Sequence, residues 1–378
     1  MYIYFSPIPY SGLDQRPQAF FRWAQDQLSS EGQSIAWVNP YPTRLPYPSD
    51  LARIWKCPTC KLDFAEPGPL RLNPRALPLE PFGWFHATLR AQLRPTLKQL
   101  IQLKPRGIVI GKPSLLTLDL LDLLSPSTPV IFDVMDHLPA FLSGRSARWM
   151  HFLMEHHLSR AQTVWFSSQR LRDMYATMLT WNTKVHIVRN GIDSNLFSAQ
   201  GWAPERKREK VVLGYVGTIA NWFDWEAIHQ LALRYPEVEI RIFGPIEGRL
   251  NRCAKTAAKN IKIMGTFEKS RLPSILYEFD VGLIPFKVNP LTDGVDPLKY
   301  YEYRAAGLGV IATPFGEMSF RGAQDGMWHF DDPLALQSAL LETNRLREKP
   351  RLLSELVSMD WSQRFRESGF EEWMRANA

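Results

Sequence analysis

The stretch VLGYVGTIANWFDWEAIHQLALRYPEVEIRIFGP, Val212–Pro245, decides the fold. An apolar, β-branched run ends in glycine (Val211–Gly217), a helical run follows (Trp225–Arg234), and a second apolar run closes the unit (Glu239–Phe243). A strand, a helix and a second strand within so short a span predict two parallel strands joined by a crossover helix. The pattern continues downstream with a strand at Ile261–Met264, a helix at Arg271–Phe279, a strand at Val281–Pro285, a helix at Tyr300–Ala306 and a strand at Gly309–Thr313. Upstream, strands are expected at Tyr2–Phe5, Ile35–Val38, Gly107–Ile110 and Val130–Asp133, with helices at Gln18–Leu28, Leu115–Leu124 and Ala147–Arg160. This alternation predicts an α/β protein of two Rossmann-like domains, each a parallel sheet covered on both faces, facing across a cleft. The polar segment Asn195–Lys210, with Gly201, Pro204 and the charges of Glu205–Lys210, reads as the linker. The expected domains are therefore residues 1–195 and 196–359. In residues 360–378, Trp361, Phe365, Phe370 and Trp373 recur about one helical turn apart, which predicts a helix that buries an aromatic stripe by packing back on the N-terminal domain.

Composition removes several function classes. Across 378 residues there are 45 Lys and Arg against 38 Asp and Glu, and no periodic Gly or Pro, so the chain is neither disordered nor fibrous. Apolar stretches are interrupted by Lys112, Asp119 and Asp122 before they reach membrane-spanning length, and the opening MYIYFSPIPYSG lacks the basic start and apolar core of a secretory signal. A cytoplasmic location, peripheral at the inner face of a membrane, is the expectation. Residues 1–200 hold 21 basic and 14 acidic residues, so the whole +7 excess belongs to the first half. Such a half suits an anionic membrane surface or a phosphate-bearing acceptor. Nucleic acid is not expected, because no binding motif accompanies the charge. Phe85–Leu103 reads as an amphipathic helix with Arg90, Arg94 and Lys98 interleaved; it either lies on a membrane or packs on a sheet with its basic face outward. Cys57 and Cys60 form a single Cys-x-x-Cys with no second pair to complete a zinc site, and Cys253 stands alone. His151, Glu155, His156 and His157 lack the His-Glu-x-x-His order, and no metal is expected. Neither a P-loop, a Gly-x-Gly-x-x-Gly fingerprint nor a Gly-x-Ser-x-Gly elbow occurs.

The chemistry concentrates in DPLKYYEYRAAGLGVIAT, Asp296–Thr313. On the helix that follows Pro297, Lys299 and Glu302 lie three residues apart and share a face. The ammonium suits a phosphate and the carboxylate a pair of vicinal hydroxyls, which a sugar nucleotide presents together. The bland alternative is an exposed ion pair with each other.

This segment resembles the donor-site signature of GT-B glycosyltransferases, in particular polysaccharide-building enzymes of the teichuronic acid type. The resemblance extends through Val212–Pro245, IKIMGTFEKSRLPSILYEFDVGLIPFKVNPLT (Ile261–Thr292), VHIVRNGID (Val185–Asp193), LDQRPQAF (Leu13–Phe20) and FDVMDHLPAF (Phe132–Phe141). It implies that Glu302 holds the nucleotide ribose and Lys299 the diphosphate, with Gly217 and Thr218 offering backbone N–H groups at a strand end. Larger retaining families with this fold carry a second glutamate eight residues before the first. Here Gly294 stands in that place, flanked by Asp293 and Asp296, so that acidic role is either absent or moved to one of these aspartates.

In the first half, Asp133 and Asp136 fall at the end of a strand. By resemblance to inverting enzymes, Asp136 is the candidate general base for the acceptor hydroxyl; if configuration is retained, it orients the acceptor instead. Helix capping is the structural alternative for both aspartates. Arg16 follows the first strand and is expected to stabilise a leaving diphosphate. Ser11, Gly12 and His137 are further candidate contacts, while Asn190 and Gly191 read as a turn. The implied reaction moves a sugar from a nucleotide-sugar, a UDP-sugar by resemblance, to a glycan acceptor, lipid-linked, in surface polysaccharide biosynthesis, with no cofactor. An epimerase or hydrolase of the same fold, or an inactive partner subunit of a glycan-assembly complex, are the alternatives.

Overall fold

In the computed structural model the structure describes residues 1–10, 15–45, 69–198, 209–247, 258–348 and 353–376. Ser11, Gly12 and all three cysteines lie outside them. The chain forms two compact units, residues 1–189 with 365–378, and residues 190–364.

The first unit holds β1 (Tyr2–Phe5), β2 (Ile35–Val38), β3 (Arg71–Leu72), β4 (Gly107–Ile110), β5 (Val130–Val134), β6 (Thr163–Phe166) and β7 (Lys184–Ile187). They form one sheet in the order β3-β2-β1-β4-β5-β6-β7, and every pairing is parallel. The second unit holds β8 (Val212–Val216), β9 (Glu239–Phe243), β10 (Ile261–Gly265), β11 (Val281–Ile284), β12 (Gly309–Ala312) and β13 (Met327–His329). Its parallel sheet runs β10-β9-β8-β11-β12-β13. Strand order reverses between β1 and β4 in one sheet and between β8 and β11 in the other. At such switch points the loops leaving adjacent strands part toward opposite faces of the sheet and open a crevice beyond the carboxyl ends.

Near-continuous burial of strands such as Ile108–Ile110 and Ile131–Phe132 follows from helices covering both faces. The expected basic helix is present at His86–Gln102, but its Leu89, Leu93 and Leu100 are buried in the unit's own core. The surface-lying alternative is therefore excluded for that apolar face. Arg90 donates to both oxygens of Asp119 on the neighbouring helix Leu115–Leu123.

The expected boundaries move by a few residues. Asn190 donates through its side chain to the Asp296 carbonyl, Ile192 pairs with Asp360, and Asp360 accepts from both the backbone N–H and the hydroxyl of Ser194. These bonds tie residues 190–195 and 360–364 to the second unit. Residues 360–378 are also not one helix. Trp361–Arg366 and Phe370–Ala376 are separate helices, broken at Gly369, whose φ of +76° lies in the left-handed region that glycine tolerates.

The last helix completes the first unit's aromatic core. Phe370 packs edge-to-face on Phe20 at 5.5 Å, Trp373 lies 5.4 Å from Tyr2, and the Trp165 indole donates to the Ser368 carbonyl at 2.9 Å. A Cβ on Gly107 would come within 2.3 Å of the Trp373 ring, so β4 needs glycine there. Phe370 is fully buried, and Phe370→Ala is expected to cost about 3–5 kcal/mol of first-unit stability in denaturant unfolding. A loss under about 1 kcal/mol would show that the tail does not belong to that core.

Candidate functional site

In the second unit, β8 ends at Val216 and the chain turns at Gly217, with φ at +146°. A Cβ there would lie 2.3 Å from Lys299 Cε and 2.6 Å from Nζ, which means that the lysine tip rests directly on the glycine. The next strand repeats the device: a Cβ on Gly244, after β9, would meet the Gly217 carbonyl oxygen at 2.1 Å. Two glycines in contact let two strand ends and the Lys299 ammonium converge beside the β8/β11 switch point. The ammonium also lies 5.4 Å from the ring centres of Tyr215 and Phe286, whose faces favour a cation.

Lys299 and Glu302 belong to the helix Leu298–Ala305 that connects β11 to β12. Buried Tyr303 locks this helix, its hydroxyl donating to the Leu283 carbonyl and accepting from the Val216 N–H. At the helix entrance Asp296, 3% exposed, accepts from the Tyr301 hydroxyl at 2.7 Å and from Arg321 at 2.9 Å. Arg321 also stacks 3.8 Å from the Tyr300 ring centre. Asp296 is thereby committed to holding the helix, and the structure gives it no open face for a sugar. Asp293 is half-buried and its backbone N–H donates to the Asn289 carbonyl.

Lys299 and Glu302 are both half-buried, yet among the described residues they form no ion pair with each other or with any other group. The surface-ion-pair alternative therefore fails. Burial pulls the Lys299 ammonium below its ordinary range, partly offset by Glu302. Burial likewise raises the Glu302 carboxyl, opposed by Lys299 and Lys269. Two partly desolvated charges without direct partners are both stabilised by a ligand that supplies an anion to one and hydroxyl donors to the other. The Gly217 N–H is already given to the Phe243 carbonyl, so it is not a phosphate donor. The Thr218 N–H has no partner among the described residues and remains available, while the Thr218 carbonyl accepts from the Tyr215 hydroxyl.

In the first unit, Arg16 departs from expectation. It is 5% exposed and grips Asp133 with two hydrogen bonds, at 3.2 and 2.7 Å, while another guanidinium nitrogen donates to the Val188 carbonyl at 2.5 Å. The anion Arg16 holds is thus Asp133, and neither side chain is open to a diphosphate. Asp136, just beyond β5, behaves differently. It is half-buried, caps no helix and has no hydrogen-bond donor on its carboxylate among the described residues. Desolvation pushes its carboxyl up to about 7, against the nearby Arg16 and with a smaller push from Asp133. Neighbouring His137 sets Nδ1 2.7 Å from the Tyr175 hydroxyl. His157, for which no metal role was expected, is buried between the Leu153 carbonyl and the Thr117 hydroxyl, and burial lowers it to about 4.

Sequence reasoning missed Gly244, Tyr215, Phe286, Tyr303 and Arg321. Only Gly244 carried a signal, since it ends a strand next to a proline just as Gly217 ends its own.

No protein-family model matches the chain. Over 198 residues it is 32% identical to the Bacillus subtilis protein named "Putative teichuronic acid biosynthesis glycosyltransferase TuaH", a match covering 49% of this chain and 50% of that one. The chain thus spans about half the length of the curated relative. Among solved structures it is similar to the sucrose-phosphate synthase of Thermosynechococcus elongatus, with TM-score 0.67, 14% identity and both chains wholly covered. Anabaena Alr3699/HepE, solved in complex with UDP and glucose, superposes with TM-score 0.62 at 13% identity, again over both whole chains. The lipopolysaccharide outer core galactosyltransferase WaaB gives 0.61 at 11% identity, over 98% of this chain and 100% of that one. The fold is GT-B. The resemblance read from the motifs is the one these comparisons return, and the fold expected from the strand pattern is the fold found.

Proposed function

We propose that the chain is a glycosyltransferase that takes a sugar from a UDP-sugar and adds it to a lipid-linked glycan acceptor in surface polysaccharide biosynthesis. The second unit binds the donor and the first serves the acceptor. One observation carries the donor assignment: an ammonium resting on Gly217 at the switch point, with a carboxylate on the same helix face, each partly desolvated and neither in an ion pair among the described residues. Lys299 and the Thr218 N–H take the diphosphate, and Glu302 accepts from the ribose hydroxyls. The UDP and glucose in the Alr3699/HepE complex, and the teichuronic acid biosynthesis in the name of TuaH, support the same class of donor and product.

A peripheral place on a membrane is supported by the first unit's exposed aromatics. Trp84, 69% exposed, stacks on Phe82 at 5.0 Å, and the Arg145 guanidinium lies within 6 Å of both ring centres. Amphipathic rings beside a cation suit the interface of an anionic bilayer. Among the described residues no helix is long and apolar enough to cross one.

Calorimetric titration with UDP tests the donor site. Glu302→Ala removes two charge-assisted hydrogen bonds and is expected to weaken UDP by about 10- to 100-fold. Equal affinity of wild type and variant would remove the assignment.

A further inference from the structure

Beyond the ends of β1, β2, β3 and β4, which neighbour one another in the first sheet, lies a cavity of about 910 Å³. Pro7, Pro40, Pro74 and Lys112, each following one of these strands, contribute to its wall. It therefore occupies the β1/β4 switch point, where an open parallel sheet places its ligands. The lining has two characters. Leu138, Phe141, Leu142 and Met150 form an apolar side, with Phe141 47% exposed, while Lys112, Arg44 and Arg75 supply positive charge. Among the described residues no Asp or Glu lines the cavity.

Lys112 is half-buried here without a salt bridge among the described residues; its ammonium reaches only the Tyr41 carbonyl, at 3.5 Å. The carboxylate that acts on it, Glu80, is fully buried and otherwise engaged, one oxygen accepting from the Leu115 N–H at 3.2 Å and the other from the Trp149 indole at 2.9 Å. The first amides of the helix Leu115–Leu123 are also used, by Glu80, the Tyr41 hydroxyl and Ser114. With those amides used, the side-chain cations of the lining, Lys112 first among them, are the charged groups placed to hold an anion in the cavity. Burial pulls that ammonium below its ordinary range, with Glu80 opposing and Arg44 adding to the effect. An incoming anion relieves this cost.

We propose that this cavity binds the phosphate end of an amphiphile, a phosphate ester of a long-chain alcohol, with Lys112 as the anion anchor and the Phe141 side receiving the start of the chain. The inference rests on the reading that the first unit serves the acceptor, and it narrows that acceptor to one whose anion and apolar chain are adjacent. Lys112 is thus a specificity-determining residue rather than a catalytic one.

Calorimetric titrations of the full chain with octyl phosphate, inorganic phosphate, 1-octanol and UDP test it. Octyl phosphate is expected to bind at least tenfold tighter than either inorganic phosphate or octanol. Lys112→Met should weaken octyl phosphate at least tenfold, Lys112→Arg should recover most of that loss, and UDP affinity should be equal in all three proteins. Inorganic phosphate binding as tightly as octyl phosphate overturns the amphiphile, and octanol binding as tightly overturns the anion anchor. Octyl phosphate indifferent to Lys112→Met overturns the role of Lys112. The wild-type comparison stands even if Lys112→Met fails to fold, a failure that lost UDP binding would reveal. Should UDP not bind wild type while octyl phosphate behaves as expected, the donor reading falls and this site stands.

Discussion

Asp136→Asn is expected to slow sugar transfer by about 10²–10⁴-fold while leaving UDP affinity unchanged, because the proposed base acts on the acceptor hydroxyl and not on the donor. The environment of the carboxylate makes the prediction sharper. Its carboxyl is raised from 3.8 to about 7, chiefly by desolvation, and a base works only when ionised. The value of kcat/KM should therefore rise about tenfold per pH unit below 7 and level off above it, and Asp136→Asn should abolish that limb. Stability moves the other way. A carboxyl raised on folding binds its proton more tightly in the native state than in the unfolded one. Its favourable contribution is fully present below about pH 3.8 and is lost as pH rises through about 7. Asparagine carries no charge at any pH. The variant should match wild type in denaturant unfolding at pH 3.5 and exceed it by about 1–3 kcal/mol at pH 8, partial exposure limiting the gain. A loss of turnover accompanied by a gain of stability separates a functional carboxylate from a structural one. Wild-type turnover in Asp136→Asn would remove the base assignment.

Asp133 shows why that distinction was not legible beforehand. In FDVMDHLPAF the two aspartates are three residues apart and look equivalent. The partner that separates them, Arg16, lies 117 residues from Asp133 in the chain. No local pattern announces such a pair, and Arg16 itself reads as an available cation until Asp133 and the Val188 carbonyl are seen to occupy it. By contrast Lys299 and Glu302 share a helix face through local geometry, so their common orientation could be read from spacing alone. The strands divide in the same way. Tyr2–Phe5, Ile35–Val38 and Gly107–Ile110 lie where their apolar runs predict. The two-residue β3, and β7, whose residues are only partly buried, lack the continuous apolar run that marks a strand buried on both faces. The tail failed as a single helix because its aromatic spacing continues through Gly369, where the backbone breaks.

Gly217→Ala is expected to weaken UDP as much as Lys299→Met does, although the glycine offers the ligand neither a charge nor a free N–H. Losing the ammonium should cost about 2–5 kcal/mol of binding, from roughly thirtyfold upward in Kd, because the diphosphate would then sit partly desolvated without its counter-charge. The alanine Cβ would need the space held by Lys299 Cε, 2.3 Å away. The flexible lysine stem can swing aside more readily than the strand end can move, so the ammonium is displaced from the place where the phosphate needs it. The two changes then act on one interaction, and the double variant should bind UDP no worse than Lys299→Met alone. Fully additive losses would mean that the glycine serves the ligand by another route. Lys299 also fixes the pH dependence. Its lowered pKa means that binding a diphosphate draws a proton back onto the amine, so UDP affinity should fall as pH rises toward that lowered pKa. The same depression makes the buried ammonium a cost to the native state at neutral pH, where the amine is charged in the unfolded chain. Lys299→Met should accordingly gain stability while losing both UDP and its pH dependence, whereas Gly217→Ala, forcing a side chain into a positive φ, should lose stability as well. If both variants destabilise the unit equally, the ammonium is a structural element of the β8 turn and the donor site must lie elsewhere.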